Sequence, residues 1–292
     1  MRLARLGWRV GLLCAIGLGG AQADEPPFLL WSVAGHQNTV YLLGSVHLLP
    51  GDVIEWPAAI EAAYEDAESL VFEIDLDDLE PAALIEVTNE LGRLPAGQTL
   101  ETVLGRDLYA DMAEYARQLG LDPARLQPFE PWVAALALAQ AQMVALGLSH
   151  DAGVEQVFLA RALEDRKEVL GLETPQDGLG ALANLPLPRQ REFIEYTLSE
   201  ADTVAAELDD MLVAWRRGDT ETLARLLEHG FREFPDLYGP LTVERNRRWV
   251  AVLDDLLEEP DDYLVVVGAL HLVGEESLID LLEAQGLNVV RR

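Results

Sequence analysis

The chain has one cysteine, Cys14, and one lysine, Lys167. Cys14 falls in a leader expected to be removed, so what remains has no cysteine at all. That excludes disulfides, a thiolate metal site and a cysteine nucleophile, and leaves His, Asp and Glu as the available metal ligands. Positive charge is scarce too: 21 Lys and Arg stand against 51 Asp and Glu, a formal net charge of −30. Such a balance argues against nucleic acid or an anionic membrane as a partner. Beyond the leader, no charge-free run reaches the roughly 20 apolar residues of a spanning helix. Several catalytic motifs are missing as well: His-Glu-x-x-His, Gly-x-Ser-x-Gly and the Gly-x-x-x-x-Gly-Lys phosphate loop. Asp75-Leu76-Asp77-Asp78 fails as an EF-hand loop because Leu79 and Glu80 replace a ligand and the turn glycine.

What is present begins with that leader. Arg2, Arg5 and Arg9 form a basic region, Val10 to Leu18 an apolar stretch, and Ala21-Gln22-Ala23 a small-x-small cleavage site. Residues 1–23 therefore read as a signal peptide. Lipidation of Cys14 is disfavoured by Leu13, which stands where lipoboxes carry Gly or Ala. The expected product starts near Asp24 and is extracytoplasmic, periplasmic or secreted, with no membrane anchor after cleavage. Removing three arginines leaves 18 basic against 51 acidic residues.

The remainder reads as one domain, 24–292, of the α/β class. Phe28 to Val33 and Thr39 to Leu43 flank a turn-rich Ala34 to Asn38, as in a hairpin. Pro57 opens a helix whose apolar face is Ile60, Ala63, Tyr64 and Ala67. Leu70 to Ile74 is a mostly apolar strand of the kind buried in parallel sheets. From roughly 79 to 258 the pattern is helical, with long Ala/Leu-rich segments at 130–147, 153–165, 189–216 and 242–258. Val169 to Glu173 is a short strand within it. Strand Tyr263 to Val267, helix Glu276 to Ala284 and strand Leu287 to Val290 close the chain. The expectation is a central mixed sheet from the N- and C-terminal βαβ-like halves, with a large helical middle segment.

A weak internal repeat carries the chemistry. Gly44-Ser45-Val46-His47-Leu48 and Gly268-Ala269-Leu270-His271-Leu272 each follow an apolar strand, so both histidines fall beyond strand carboxyl ends, where α/β sheets place ligand sites. Glu73 ends a third apolar strand, and a carboxylate there is costly unless it is paired, hydrogen-bonded or bound to metal. Two imidazoles and one carboxylate suit an open divalent-cation site. Taken singly, each residue is better served by a bland role: a turn glycine, a histidine bonded to a carbonyl, a glutamate capping a helix. Two histidines at matching strand ends with an acid at a third favour the site. His36, His150 and His229 lie in turns or near helix ends and read as solvated. Ser45 reads as a turn hydroxyl.

In order and spacing, five short elements resemble the TraB/GumN family, which includes the TIKI metalloproteases. They are Tyr41 to His47, Val71 to Asp75, Val169 to Thr174, Glu244-Arg245-Asn246, and Val267 to Gly274. The resemblance spans nearly the whole mature chain. It implies an α/β fold and, for the TIKI branch, a peptidase that uses Mn²⁺- or Co²⁺-like ions. His47, His271 and Glu73 match the proposed centre, with Glu73 as ligand or general base. Arg245 matches the Glu-Arg-Asn element, as an oxyanion stabiliser or a surface arginine paired with an acid. Glu173 is either a partner of a ligand histidine or a helix cap. Glu155, in Gly153-Val154-Glu155, departs from the aspartate expected at that place.

The function implied is an exported, divalent-metal-dependent hydrolase (Mn, Co or Zn), peptidase-like, acting on a peptide or small-molecule substrate. Two alternatives come from proteins related in fold: a metal-independent esterase of the erythromycin-esterase type, and a haem- or iron-binding protein like ChaN.

Overall fold

A computed structural model of the protein describes residues 28–51, 54–77, 81–199, 201, 203–232 and 235–292. The expected signal peptide and its cleavage site lie outside the described residues.

Eight strands occur among the described residues, in order β1 (Leu30–Ala34), β2 (Thr39–Ser45), β3 (Leu49–Pro50), β4 (Ser69–Ile74), β5 (Leu148–Ser149), β6 (Glu168–Glu173), β7 (Tyr263–Gly268) and β8 (Val289–Arg291). Six of them form a mixed sheet in the order β6-β4-β7-β2-β1-β8. β6, β4, β7 and β2 run parallel to one another, while β1 is antiparallel to both β2 and β8. The α/β architecture and the mixed central sheet are as the sequence pattern leads one to expect. The parallel strands are apolar because helices cover both faces. Leu42, Leu43, Leu264, Val265 and Val266 are fully buried in this core.

The two repeat copies, β2 and β7, are parallel neighbours, with Ser45 opposite Gly268. Their carboxyl ends therefore open at one edge of the sheet, next to those of β4 and β6. Close packing there requires glycine: a Cβ on Gly44 would lie 2.7 Å from Leu29 Cβ.

The middle segment is helical, with two departures from the expected pattern. Residues 189–216 are not one helix but two, Leu187–Ser199 and Val204–Arg217. Between them the Ala201 carbonyl accepts from Gln142 Nε2 at 2.9 Å, which holds the chain where the helical path breaks. A second, two-stranded sheet, β3 with β5, was not legible because two residues carry no periodicity. Part of this segment has its own core, where Leu100, Leu104, Met112, Leu138 and Ile194 pack together apart from the sheet.

The C-terminal helix starts at Leu278, two residues later than the pattern suggests. Glu276 adopts left-handed φ 55°, and Ser277 Oγ then caps the helix by accepting from Asp280 N–H at 3.1 Å. No helix among the described residues is long and apolar enough to cross a membrane.

Candidate active site

Four neighbouring parallel strands deliver the site. Glu73 lies near the end of β4, Glu173 ends β6, and His47 and His271 follow β2 and β7. The fifth group, Arg245, comes from the first turn of helix Glu244–Glu258. Thr242, just before that helix, is buried in a π-helical turn, Gly239–Val243, and gives no cap hydrogen bond. Such turns redirect a helix entrance and are frequent at functional sites. His47, Glu73, Arg245 and His271 line one cavity of about 490 Å³.

Each histidine is held through Nδ1. His271 Nδ1 lies 2.6 Å from Asn246 Oδ1, and Asn246 Nδ2 donates to the Glu276 carbonyl at 2.9 Å. The second contact fixes the amide, so Nδ1 carries the proton and Nε2 presents a lone pair, 3.2 Å from Arg245 Nη1. Asn246 is fully buried, and the left-handed turn at Glu276 aims its carbonyl at this amide. Trp249 packs against the imidazole with centroids 4.5 Å apart. Burial is the main cause that depresses the His271 pKa, to about 4, with Arg245 and His47 acting in the same direction against Glu73.

His47 is tied differently. Its Nδ1 lies 2.9 Å from Glu155 Oε1, which also accepts from Ser45 Oγ. Gly153 makes this possible, because a Cβ there would collide with the His47 carbonyl, and Val154 N–H donates to the Val46 carbonyl at 3.2 Å. Desolvation works against the charge on His47, but the hydrogen bond and charge of Glu155, with Glu73 beyond, prevail and raise its pKa to about 9. Its side chain is nonetheless 57% exposed, so water screens part of that effect.

Glu73 and Glu173 clasp the arginine. Arg245 Nη2 donates to Glu73 Oε2 and to Glu173 Oε1, each at 2.6 Å, and Nε donates to Glu173 Oε1 at 2.9 Å. The other oxygen of Glu73 accepts from Gly268 N–H at 2.8 Å. Trp249 Nε1 donates to Glu173 Oε2 at 3.1 Å, and its ring lies under the guanidinium, 4.6 Å from Cζ. Burial opposes the charge of Glu73, but the positive groups His271, Arg245 and His47 and the Gly268 N–H together hold its pKa down to about 2.

This arrangement bears on a metal. Both histidines are bonded through Nδ1, but only His271 presents an Nε2 lone pair; His47, whose pKa Glu155 raises, carries a proton there. Glu73 fits less well, since Arg245 already compensates its charge. Among the described residues no three His, Cys, Asp or Glu side chains stand where they could hold an ion together. A centre with His47, His271 and Glu73 all as ligands therefore does not match this geometry, because Arg245 supplies the positive charge that Glu73 was expected to take from an ion. Glu173, expected to steady a histidine or cap a helix, does neither: it holds Arg245, and Thr174 caps the following helix.

Two participants were not read from sequence. Asn246 stands beside Arg245 in the Glu-Arg-Asn element, and its place in the buried stripe of its helix was the available signal. Glu155 was noted only as a departure from aspartate, although a carboxylate two residues after a glycine, in a first helical turn, is placed to meet a cation.

The TraB/PrgY/gumN family matches residues 29–291. The Escherichia coli (strain K12) protein named "Uncharacterized protein YbaP" is 26% identical over 242 residues, covering 83% of this chain and 87% of that protein. A Treponema pallidum (strain Nichols) protein is 23% identical over 271 residues, 89% of this chain and 81% of its own length. "Metalloprotease TIKI2" of Xenopus tropicalis is 24% identical over 330 residues, covering 94% of this chain and 61% of that longer protein. No solved structure matches significantly.

Proposed function

The chain belongs to the TraB/PrgY/gumN family, and from that premise we propose that it is an exported, peptidase-like hydrolase working at the His47–Glu73–Arg245–His271 cleft. The single observation that carries this reading is the pair of histidines, tied through Nδ1 and lining one cavity, whose pKa values their surroundings push in opposite directions. Opposed environments of that kind assign acid and base. The TIKI2 likeness supports amide hydrolysis as the reaction class.

In the proposed reaction His271 Nε2 takes a proton from water as the oxygen attacks the scissile carbonyl carbon. Arg245 Nη1, the arm of the guanidinium with the longest contacts, stabilises the developing oxyanion. The carbon–nitrogen bond then breaks, and protonated His47 gives its Nε2 proton to the leaving amine. Glu73 and Glu173 keep Arg245 in place. The substrate is a peptide or small acyl compound, and the acidic composition makes nucleic acid an unsuitable partner.

Metal dependence, which the name of the TIKI2 relatives states for them, is the rival form of this proposal, with Mn²⁺, Co²⁺ or Zn²⁺ as the candidate ions. The engagement of Glu73 by Arg245 favours a metal-independent reaction, and therefore also an esterase-like substrate range. The test is turnover of fluorogenic peptides and acyl esters by purified protein, with and without EDTA. Turnover in EDTA that collapses in His271→Ala supports the reading. Loss in EDTA with recovery on Mn²⁺ replaces it with the metal-dependent form, and no turnover of either substrate class by wild type removes the hydrolase proposal.

A further inference from the structure

The cavity that holds His47 and His271 also carries Glu207 and His229, 3.9 Å apart, as a half-exposed pair on the helical side. Its wall on that side is built by three helices. Leu208, Met211 and Trp215 lie at i, i+3 and i+7 on helix Val204–Arg217 and face the cavity; Leu223 and Leu226 come from helix Thr220–Phe231, and Met143 from helix Pro131–Ala145. Leu208, Met211 and Met143 are only partly buried. Side chains so placed leave apolar surface for an occupant, and methionines adapt to its shape. Ligand sites combine such an apolar wall with a few convergent polar groups, in cavities of roughly 300–1,000 Å³; this one has about 490 Å³. His47, Glu73 and Arg245 also border a second cavity of about 570 Å³. The polar groups thus stand between two cavities, as suits a chain that continues on both sides of its scissile bond.

We propose that the helical cavity is the subsite for an apolar segment of the substrate, so that the preferred substrate is a peptide with a large aliphatic or aromatic residue beside the bond that is cut. This rests on the hydrolase reading of the same cleft. The occupant is argued from continuity: a group lying against Met211 and Leu208 belongs to a molecule whose next atoms reach His271 and Arg245. A charged residue lying against Leu208 and Met211 would be desolvated there, and an acidic one would also face Glu207 at the cavity's half-exposed rim.

Two measurements test the subsite separately from catalysis. Nile red, a neutral dye chosen because the protein is strongly acidic, should bind wild type and be displaced by N-acetyl-leucinamide. Met211→Glu and Leu208→Glu, shown to be folded by circular dichroism, should weaken dye binding at least tenfold. In a matched set of fluorogenic peptides, Leu or Phe beside the cut should raise kcat/KM at least tenfold over Asp or Gly. Met211→Glu should abolish that preference, chiefly through KM. Dye binding unaltered in both variants overturns the subsite, and so does equal turnover of Leu and Asp peptides. If wild type cuts no peptide, the peptide preference fails; if it cuts no acyl ester either, the hydrolase reading fails too, and the dye displacement alone decides the subsite.

Discussion

Glu73 and Arg245, 172 residues apart in the chain, meet in an ion pair of 2.6 Å at the floor of the cleft. Glu173 joins them on the far side of the guanidinium, with only 2% of its side chain exposed. The three form one buried unit of two carboxylates and one cation, completed by hydrogen bonds from Gly268 and Trp249.

Removing the cation alone should therefore be costly. Arg245→Met leaves Glu73 without its ion-pair partner and Glu173 with only Arg248, 3.5 Å away, and breaking a buried pair from one side costs about 3–5 kcal/mol. The double variant Arg245→Met with Glu73→Gln should recover part of that loss, because one of the stranded charges is gone. Chemical denaturation followed by circular dichroism measures both. A single variant within about 0.5 kcal/mol of wild type would show that the unit contributes nothing to stability.

The pH dependence of stability should have two limbs near neutrality in EDTA-treated protein. The His47 pKa is raised from 6.5 to about 9, so its contribution is complete below pH 6.5 and is lost as pH rises through 9. His271 is depressed from 6.5 to about 4, so the unfolded chain binds the extra proton and stability falls as pH drops from 6.5 toward 4. Glu73, lowered from 4.5 to about 2, acts only below pH 4.5, in the same direction. The difference in Tm between wild type and His47→Gln should therefore shrink above pH 7, and the difference for His271→Gln below pH 6. Parallel Tm curves across pH 4–9 would contradict both assignments.

Glu155 should control the proton on His47. In Glu155→Gln the charge that raises the imidazole is removed, and the His47 pKa should fall from about 9 toward 6.5, read from the ring resonances by NMR. The alkaline limb of kcat/KM should move down with it. Protein in which the ring titrates as before would mean that Glu155 is merely a packing partner.

Loss of either acid–base group should cost rate rather than fold. His271→Ala and His47→Ala are each expected to lower kcat/KM by about 10²- to 10⁴-fold. Asn246→Ala should lower kcat by a smaller factor and broaden the pH profile, since the His271 tautomer is then no longer held. Steady-state kinetics on one peptide substrate suffices, and a His271→Ala enzyme at wild-type rate would exclude the imidazole from the reaction.

The outline of this protein was written in local pattern. The runs Leu70 to Ile74 and Tyr263 to Val267 read as strands, and the two Gly-x-x-His elements pointed to the edge where the candidate site lies, because strand period and glycine turns are properties of neighbouring residues. Export and metal use rested on the leader and on the family resemblance, and the fold adds nothing to the first. What the tertiary structure alone decided is who partners whom. Glu73 reads in sequence as a metal ligand, a general base or a helix cap, and Arg245 as a paired surface group or an oxyanion donor. Their pairing depends on β4 and a helix 172 residues later meeting over the same sheet edge. Likewise Glu155 reaches His47 only because Gly153 lets two backbones touch, and Asn246 reaches His271 only because Glu276 turns left-handed. Burial and opposing charge set the protonation of both histidines, and neither is a property of residues adjacent in the chain.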